Sequence, residues 1–312
     1  MQPLVSIIIP TYNRSRSLEK LIHCLHNQTL KGIEILIIDQ NKRGYLQEGL
    51  PKLILDGITH IYLDEPNVSK ARNEGFRRST GDILLFIDDD LLPKPDFCQK
   101  AIETMRRFPQ IGCLCPLVIA DQQGEERAFQ RIQRHFTGAR IDQTNIFEIK
   151  ETISAAVFYT RNYFKESGGF DERLFRFAAT AEDQELFIRM RRRRLRLWMD
   201  KTLCVFHDET VHGGCALRTS DFWQTRERCI RSWVFRYRIH GGRQGLLSVP
   251  DFYYLCRSVF LNRAVLKSGP MDIFKNIRLL SNAIDASKEY LKPYLEYYGN
   301  IYQINHLYDQ KL

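Results

Sequence analysis

The sequence has no long apolar run, no C-x-x-C thiol pair and no glycine-rich phosphate loop. Each absence removes a class of protein. A membrane-spanning helix needs about 20 consecutive apolar residues, and the greasiest stretch here, 246–266, is broken by Asp251, Arg257 and Arg263. A cleaved leader would show a basic n-region and then an apolar h-region, whereas Met1-Gln2-Pro3 runs straight into a strand pattern. The eight cysteines, at 24, 98, 113, 115, 204, 215, 229 and 256, include no C-x-x-C pair and no zinc spacing. Scattered thiols of this kind predict a reducing, cytoplasmic setting. Neither G-x-G-x-x-G nor G-x-x-x-x-G-K-[ST] occurs, which argues against a dinucleotide-dependent dehydrogenase and a P-loop enzyme.

Acidic residues are the minority charge: 37 Asp and Glu stand against 46 Lys and Arg, for a net charge of +9. The arginines gather in the second half, at 189, 191–194 and 196 and again at 226, 228, 231, 236 and 238. Solvated helix faces account for about half of them. The remainder imply an anionic partner, and nucleic acid, lipid headgroups or a diphosphate-linked substrate would each satisfy that electrostatics. With 44% hydrophobic and 27% charged residues over 312 positions, the chain is long enough for one large α/β domain with a helical annex.

Val5 to Pro10 is a compact β-branched run, Ser17 to Asn27 carries apolar residues at helical spacing, and Glu34 to Asp39 and Thr59 to Leu63 read as further strands. Ala71 to Arg78 reads as helix, Gly81-Asp82 breaks it, and Ile83 to Ile87 suits a strand buried on both faces. Such alternation predicts a mostly parallel central sheet flanked by helices, with ligands at the strand C-terminal ends. Pro93 to Phe108 reads as helix, Gly112 to Ala120 and Ser154 to Thr160 as strands, and 121–150 as an irregular insertion. Ala181 to Arg193 reads as helix and Leu197 to His207 as strand, and a shift to arginine-rich aromatic helices places a boundary near residue 216. In the C-terminal part, Phe252, Leu255, Cys256, Val259, Phe260 and Arg263 recur at helical spacing, which favours packing against the catalytic domain over membrane contact.

Three polar strand ends converge at one sheet edge: Thr11-Tyr12-Asn13-Arg14, Asp39, and Asp88-Asp89-Asp90. Three adjacent aspartates raise one another's pKa unless something neutralises them. Asp88 and Asp90 facing the crevice would offer hard oxygen ligands suited to magnesium or manganese, with Asp89 turned elsewhere. Helix capping ahead of Leu91-Leu92-Pro93 accounts for one aspartate rather than three.

Here the sequence resembles the inverting glycosyltransferase family 2, which has the GT-A fold. The resemblance covers roughly residues 3–215. It is carried by Val5 to Arg14, Ile37-Ile38-Asp39, Ala71-Arg72-Asn73-Glu74-Gly75, Gly81 to Asp90, Gly168-Gly169-Phe170-Asp171-Glu172 and Glu182-Asp183-Gln184-Glu185-Leu186. It implies a GT-A catalytic domain over 1–215 and a helical extension over 216–312. It further implies a nucleotide-sugar donor, UDP- or dTDP-linked, whose base imide donates to Asp39 within a pocket shaped by Pro10, Thr11, Tyr12 and Arg14. Gln40 stands where many relatives carry a second aspartate. Arg72 matches a nucleotide-side arginine, and Asp88 and Asp90 match the D-x-D pair that holds a divalent metal, Mn2+ or Mg2+, on the donor diphosphate. His207 matches a further metal ligand, with His212 competing for that role.

In the family the aspartate of Glu182-Asp183 deprotonates the acceptor hydroxyl, so the resemblance makes Asp183 the general base and Glu182 an orienting or acceptor-binding residue. The implied acceptor is a saccharide or lipid-linked hydroxyl in polysaccharide biosynthesis. The expected location is cytoplasmic, with peripheral contact with an anionic membrane at its inner face as the lesser alternative, and no nucleic acid partner is expected. Relatives often end the base helix on glycine; this chain has Arg194-Leu195, which predicts a different helix ending. The Arg191 to Arg194 run either complements the helix C-terminus or meets a lipid diphosphate or membrane. A sugar nucleotidyltransferase would want a glycine-rich loop after the first strand, which is absent. A basic nucleic-acid-binding protein, suggested by the arginines and aromatics around 223–237, leaves the aspartates unexplained. A degenerate scaffold would not have kept every metal and base candidate.

Overall fold

In the structure, a computed structural model that describes residues 4–50, 55–120, 124–133, 135–141, 145–178, 181–208, 222–235, 253, 256–257, 259–260 and 270–305, strands and helices alternate from the start. The first elements are β1 (Val5–Thr11), α1 (Ser15–His26), β2 (Ile33–Asp39), α2 (Tyr45–Gly49), β3 (Thr59–Tyr62), α3 (Val68–Arg78) and β4 (Ile83–Ile87). There follow β5 (Leu91–Pro93), α4 (Phe97–Arg107), β6 (Cys113–Ala120), α5 (Gly124–Gln133), β7 (Phe136–Arg140), β8 (Ile146–Ile149) and β9 (Ala156–Thr160). The last are α6 (Arg161–Ser167), α7 (Leu174–Phe177), α8 (Glu182–Arg192), β10 (Leu197–His207), α9 (Phe222–Phe235) and α10 (Pro270–Asn305).

One sheet runs through the first part in the order β3-β2-β1-β4-β9-β6-β10-β8-β7, with β5 paired to β10. β3, β2, β1 and β4 are mutually parallel, as are β6 and β10, whereas β9 enters antiparallel between β4 and β6. The continuous apolar runs explain the parallel block, because alternate residues fill two different cores. Ile7, Ile9, Leu85 and Ile87 pack with Leu18, Leu21 and Ile22 of α1 and Ile102 of α4 on one face. Ile8, Leu84 and Phe86 pack with Ala71 of α3, Phe164 of α6 and Leu186 and Phe187 of α8 on the other. Gly75 lets α3 approach β1 closely, since a Cβ there would lie 2.3 Å from Ile8 Cγ2.

The chain divides into two units. The first is Met1–Glu172 with Asp183–Leu217; the second is Arg173–Glu182 with Arg218–Leu312. The second has its own core, in which Leu174 and Phe177 of α7 and Ile230, Val234 and Phe235 of α9 meet Leu280, Ala283, Tyr290 and Tyr294 of α10. Val259 and Phe260 pack there too, in the second unit's own core. Phe252, Leu255 and Arg263 lie outside the described residues.

Three sequence expectations are corrected. The described residues within 121–150 are not an irregular insertion: α5 and the β7–β8 hairpin form there, and β8 extends the sheet by pairing with β10. Its aromatic side chains, Phe129, Phe136 and Phe147, supply the apolar cluster that a loop would lack. The helix expected from Pro93 starts only at Phe97, because Leu91–Pro93 pairs with Val205–His207 as a strand. Finally, α8 ends as a glycine-terminated helix would: Arg194 takes φ 62° and Leu195 N–H donates to Met190 C=O at 2.9 Å.

Candidate active site

The sheet delivers the polar strand ends to one edge. Thr11 and Asp39 are register partners at the ends of β1 and β2. β4 ends at Ile87, and the Asp88 amide donates to Ala155 C=O at 2.7 Å, just before β9. The β5–β10 pairing sets His207 opposite Leu91, and the Asp208 amide reaches Asp90 C=O at 2.8 Å. Pro10 lies buried in β1, and half-buried Tyr12 follows it.

Arginines meet the three aspartates. Arg14 Nη1 donates to Asp89 Oδ1 at 2.9 Å and to Asp90 Oδ2 at 2.5 Å. Thr11 Oγ1 donates to Asp89 Oδ2 at 2.7 Å. Asp89, buried and turned inward, therefore has the structural surroundings expected of it. Burial pushes its carboxyl up to about 7, against the opposing pull of Arg14 and Thr11. Burial acts to lower Arg14, but the Asp89 and Asp90 carboxylates outweigh it and hold the guanidinium above its ordinary value. Asp88, whose side chain is 33% exposed, accepts from Arg72 Nη2 at 2.8 Å. Capping of α4 explains none of the three, since that helix begins at Phe97.

Arg72 is itself buried, with its guanidinium over the Phe170 ring at 5.1 Å and Nη2 3.5 Å from Ser154 C=O. Asp39 is 0% exposed. Its Oδ1 accepts from the Asn41 amide at 2.9 Å and from Asn41 Nδ2 at 2.6 Å, while Oδ2 lies 2.9 Å from His60 Nε2. A base reaching Asp39 has to exchange with one of these contacts. Gln40 uses both halves of its amide, accepting from Asn67 N–H at 2.7 Å and donating to Thr11 C=O at 3.4 Å. An aspartate could not make the second contact.

Asp183 stands in the first turn of α8 after Glu182, where the helix dipole favours negative charge. Its Oδ1 accepts from the Gln184 amide at 2.7 Å, and its Oδ2 lies 3.3 Å from the Ser154 amide. Ser154 thus meets Asp183 through its N–H and Arg72, the partner of Asp88, through its C=O. Lower on the same helix, buried Arg189 is bidentate to Glu185 at 2.7 Å and donates to the Ser167 and Gly169 carbonyls. That holds the Gly168-Gly169 turn, where both residues have positive φ and a Cβ on Gly169 would come 2.9 Å from Asn73 Oδ1. Asn73 of α3 pairs with both the amide and the carbonyl of Phe170 at 2.9 Å.

Carboxylates of Asp88 and Asp90 with the His207 imidazole make a donor set that suits a hard divalent cation. His207 Nε2 lies 3.5 Å from Asp90 Oδ2. Arg14 and Arg72 share those carboxylates, and among the described residues no three His, Cys, Asp or Glu side chains are grouped to hold a metal. The donor chemistry fits, while assembly of the ligands would need the arginines to yield. His212 lies outside the described residues.

The sequence reading missed Asn41, His60, Ser154, Asn73's pairing and Arg189. Asn41 was signalled by its place two residues after Asp39 and Arg189 by its spacing of four from Glu185; Ser154 acts through its own backbone N–H and C=O and carries no residue-type signature. Burial pushes the Cys98 thiol up to about 12 and raises Cys24 and Cys204, so these three are not activated nucleophiles.

Residues 6–168 match the model of glycosyl transferase family 2. A glucosyl-dolichyl phosphate glucuronosyltransferase of Haloferax volcanii is 23% identical over 175 residues, 54% of this chain and 56% of that protein. The first curated relatives are matched over only 37% to 56% of their own lengths. Among solved structures, TarS 1–349 of S. aureus with UDP-GlcNAc superposes with a TM-score of 0.61 at 16% identity, covering 92% of this chain and 82% of that one. The mannosyltransferase PcManGT of Pyrobaculum calidifontis, with GDP-Man and Mn2+, gives 0.56 at 16% identity, covering 100% and 89%. These two likenesses support the fold, a central sheet flanked by helices of GT-A type. With the family model spanning more than half of its length, the chain belongs to glycosyl transferase family 2.

Proposed function

We propose that this glycosyltransferase is an inverting enzyme that moves a sugar from a nucleoside diphosphate, UDP or dTDP, to a hydroxyl of a saccharide or lipid-linked acceptor. On this reading residues 1–215 form the catalytic domain and 216–312 a helical extension, in a protein peripheral to the cytoplasmic face of a membrane. The observation that carries it is the Ser154 junction: one residue contacts both the base candidate Asp183 and the arginine that holds Asp88. A transferase needs its acceptor base and its donor group in register, because misplacement by about 1 Å costs on the order of 100-fold in rate. Lipid linkage of the acceptor is suggested by the relative named for glucosyl-dolichyl phosphate.

In the reaction the acceptor oxygen bonds to the anomeric carbon while the bond to the diphosphate oxygen breaks, and Asp183 receives the hydroxyl proton. Attack from the face opposite the leaving group inverts the configuration without a covalent sugar–enzyme intermediate. Glu182 orients the base, and Arg14 and Arg72 set the Asp88–Asp90 carboxylates. Asp88, Asp90 and His207 would hold Mn2+ or Mg2+, which when bound supplies positive charge for the departing diphosphate. Pro10, Thr11 and Tyr12 shape the nucleotide pocket, and Asp39 organises Asn41 and His60 at its base-reading end.

A thermal-shift screen of UDP, dTDP and GDP with and without Mn2+ tests the reading. Stabilisation by UDP or dTDP that needs Mn2+ and disappears in Asp90→Ala is expected. Stabilisation indifferent to metal, or none with any nucleotide, would overturn it.

A further inference from the structure

The first two turns of α10 present an apolar face that its own packing does not use. Asn276, Leu280 and Ala283 are buried against the rest of the second unit, and Arg226 of α9 fixes the seam by donating from Nε to Asn276 Oδ1 at 2.9 Å. Beside that seam Ile273 is 46%, Phe274 70% and Ile277 49% exposed. At 3.6 residues per turn these three fall within about 100° of arc, so they form one stripe rather than scattered exposures. Two exposed cations, Arg278 and Lys275, border the stripe on the side away from the seam, about 40° and 100° beyond Phe274. Lys275 Nζ sits 4.8 Å above the ring of half-buried Trp223 on α9, which adds an aromatic to the same end of the unit.

Isoleucine and phenylalanine on one arc, bordered by lysine, arginine and tryptophan, is the composition of a helix that lies in a bilayer interface. Size separates this occupant from a second copy of the chain. With about 150–250 Å2 for a fully exposed aromatic, the three partly exposed side chains offer on the order of 300 Å2. A stable protein interface needs about 800 Å2 per partner. The flanking cations match anionic headgroups, and the net charge of +9 adds attraction over a longer range. No helix among the described residues is long and apolar enough to cross a membrane, so contact of this kind would be peripheral.

We infer that Ile273, Phe274 and Ile277, with Lys275 and Arg278, form the surface through which this protein docks on an anionic bilayer. The inference deepens the peripheral location proposed above and rests on it. Flotation of the full chain with vesicles of phosphatidylglycerol and phosphatidylethanolamine, against phosphatidylcholine alone, tests it without any substrate. Binding to the anionic vesicles at low salt is expected, weakened by added salt. Phe274→Ser with Ile277→Ser should cut partitioning at least ten-fold, and Arg278→Gln about five-fold. All three positions are exposed, so an unchanged melting temperature is the control for folding. If the wild type floats and the double variant floats equally well, another surface makes the contact and the peripheral location stands. If the wild type fails to bind even at low salt, inference and location both fall, while the glycosyltransferase reading is untouched. A wild-type dimer by light scattering that Phe274→Ser converts to monomer would assign the stripe to a second copy and overturn the inference.

Discussion

The two carboxylate sites of the first unit are held in opposite ways. Guanidinium groups of Arg14 and Arg72 meet Asp88, Asp89 and Asp90, whereas the backbone amides of Gln184 and Ser154 meet Asp183. Cations exchange for other cations, so the first arrangement can give way to a metal or rearrange around a phosphate. Amides fix a carboxylate in space, and a helix N-terminus adds a partial positive charge. That is what a base needs: a defined position and a lone pair still able to take a proton. The contrast teaches that the strand-end cluster is built to be re-partnered and Asp183 to stay where it is.

Asp183→Asn breaks the contrast at its stronger end. The amide keeps the shape, its one oxygen accepts from only one of the Gln184 and Ser154 N–H groups, and it takes no proton, so turnover should fall by roughly 100- to 10,000-fold. Nucleoside diphosphate affinity, measured by calorimetry, should be unchanged. Loss of nucleotide binding in this variant would mean that Asp183 belongs to the donor side.

Next comes the support beneath the base. Arg189 and Glu185 are a buried pair, and removing one partner of such a pair costs about 3–5 kcal/mol, whereas replacing both with apolar residues is near neutral. Arg189→Met should therefore destabilise by about that amount in urea denaturation. Arg189→Met with Glu185→Leu should recover most of the stability yet leave the Ser167 and Gly169 carbonyls without their donor. Equal stability losses in the single and double variants would show that those carbonyl contacts, rather than the ion pair, hold α8.

On the strand-end side, Asp90→Asn removes one charge that Arg14 and His207 share. Turnover should fall about 100-fold, with Mn2+-dependent nucleotide stabilisation lost and the melting temperature of the free protein little changed. A large drop in the free protein's stability would mean that the Arg14–Asp90 contact is structural and not exchangeable.

The same contrast governs what could be read from the sequence. Asp88–Asp90 stood out because three like charges at a strand end demand a remedy, and the apolar runs of β1, β2 and β4 told which edge they share. Asp183 was legible through its resemblance to a family motif. Its anchor Ser154 was not, since the contact runs through backbone atoms that every residue possesses. Residues 124–149 were misread because α5 and the β7–β8 hairpin are short and rich in charge, and their aromatics pair only once the chain has folded. The exposed stripe of α10 was hidden for another reason: Ile273 and Ile277 repeat at the spacing of a core face, and only the structure separates the face that packs from the one that does not.

The smallest effect lies at the far end of α8. Arg194 holds φ 62°, a left-handed conformation that costs a residue with a Cβ about 1–2 kcal/mol. Glycine would remove that cost but loses more freedom on folding, by roughly 0.5–1 kcal/mol. Arg194→Gly should therefore stabilise by about 0.5–1 kcal/mol in chemical denaturation. Asp183 and Arg194 are separated by the length of the helix, about 16 Å at 1.5 Å per residue, so turnover and nucleotide affinity should not move. The neighbouring arginines are already employed within the unit, Arg189 on the Gly168-Gly169 turn and Arg193 on the Glu166 carbonyl. If Arg194→Gly stabilises the protein but raises KM for a lipid-linked acceptor, the arginine run is part of the acceptor site. Asp183 would then be the start of an acceptor surface that extends down the whole helix.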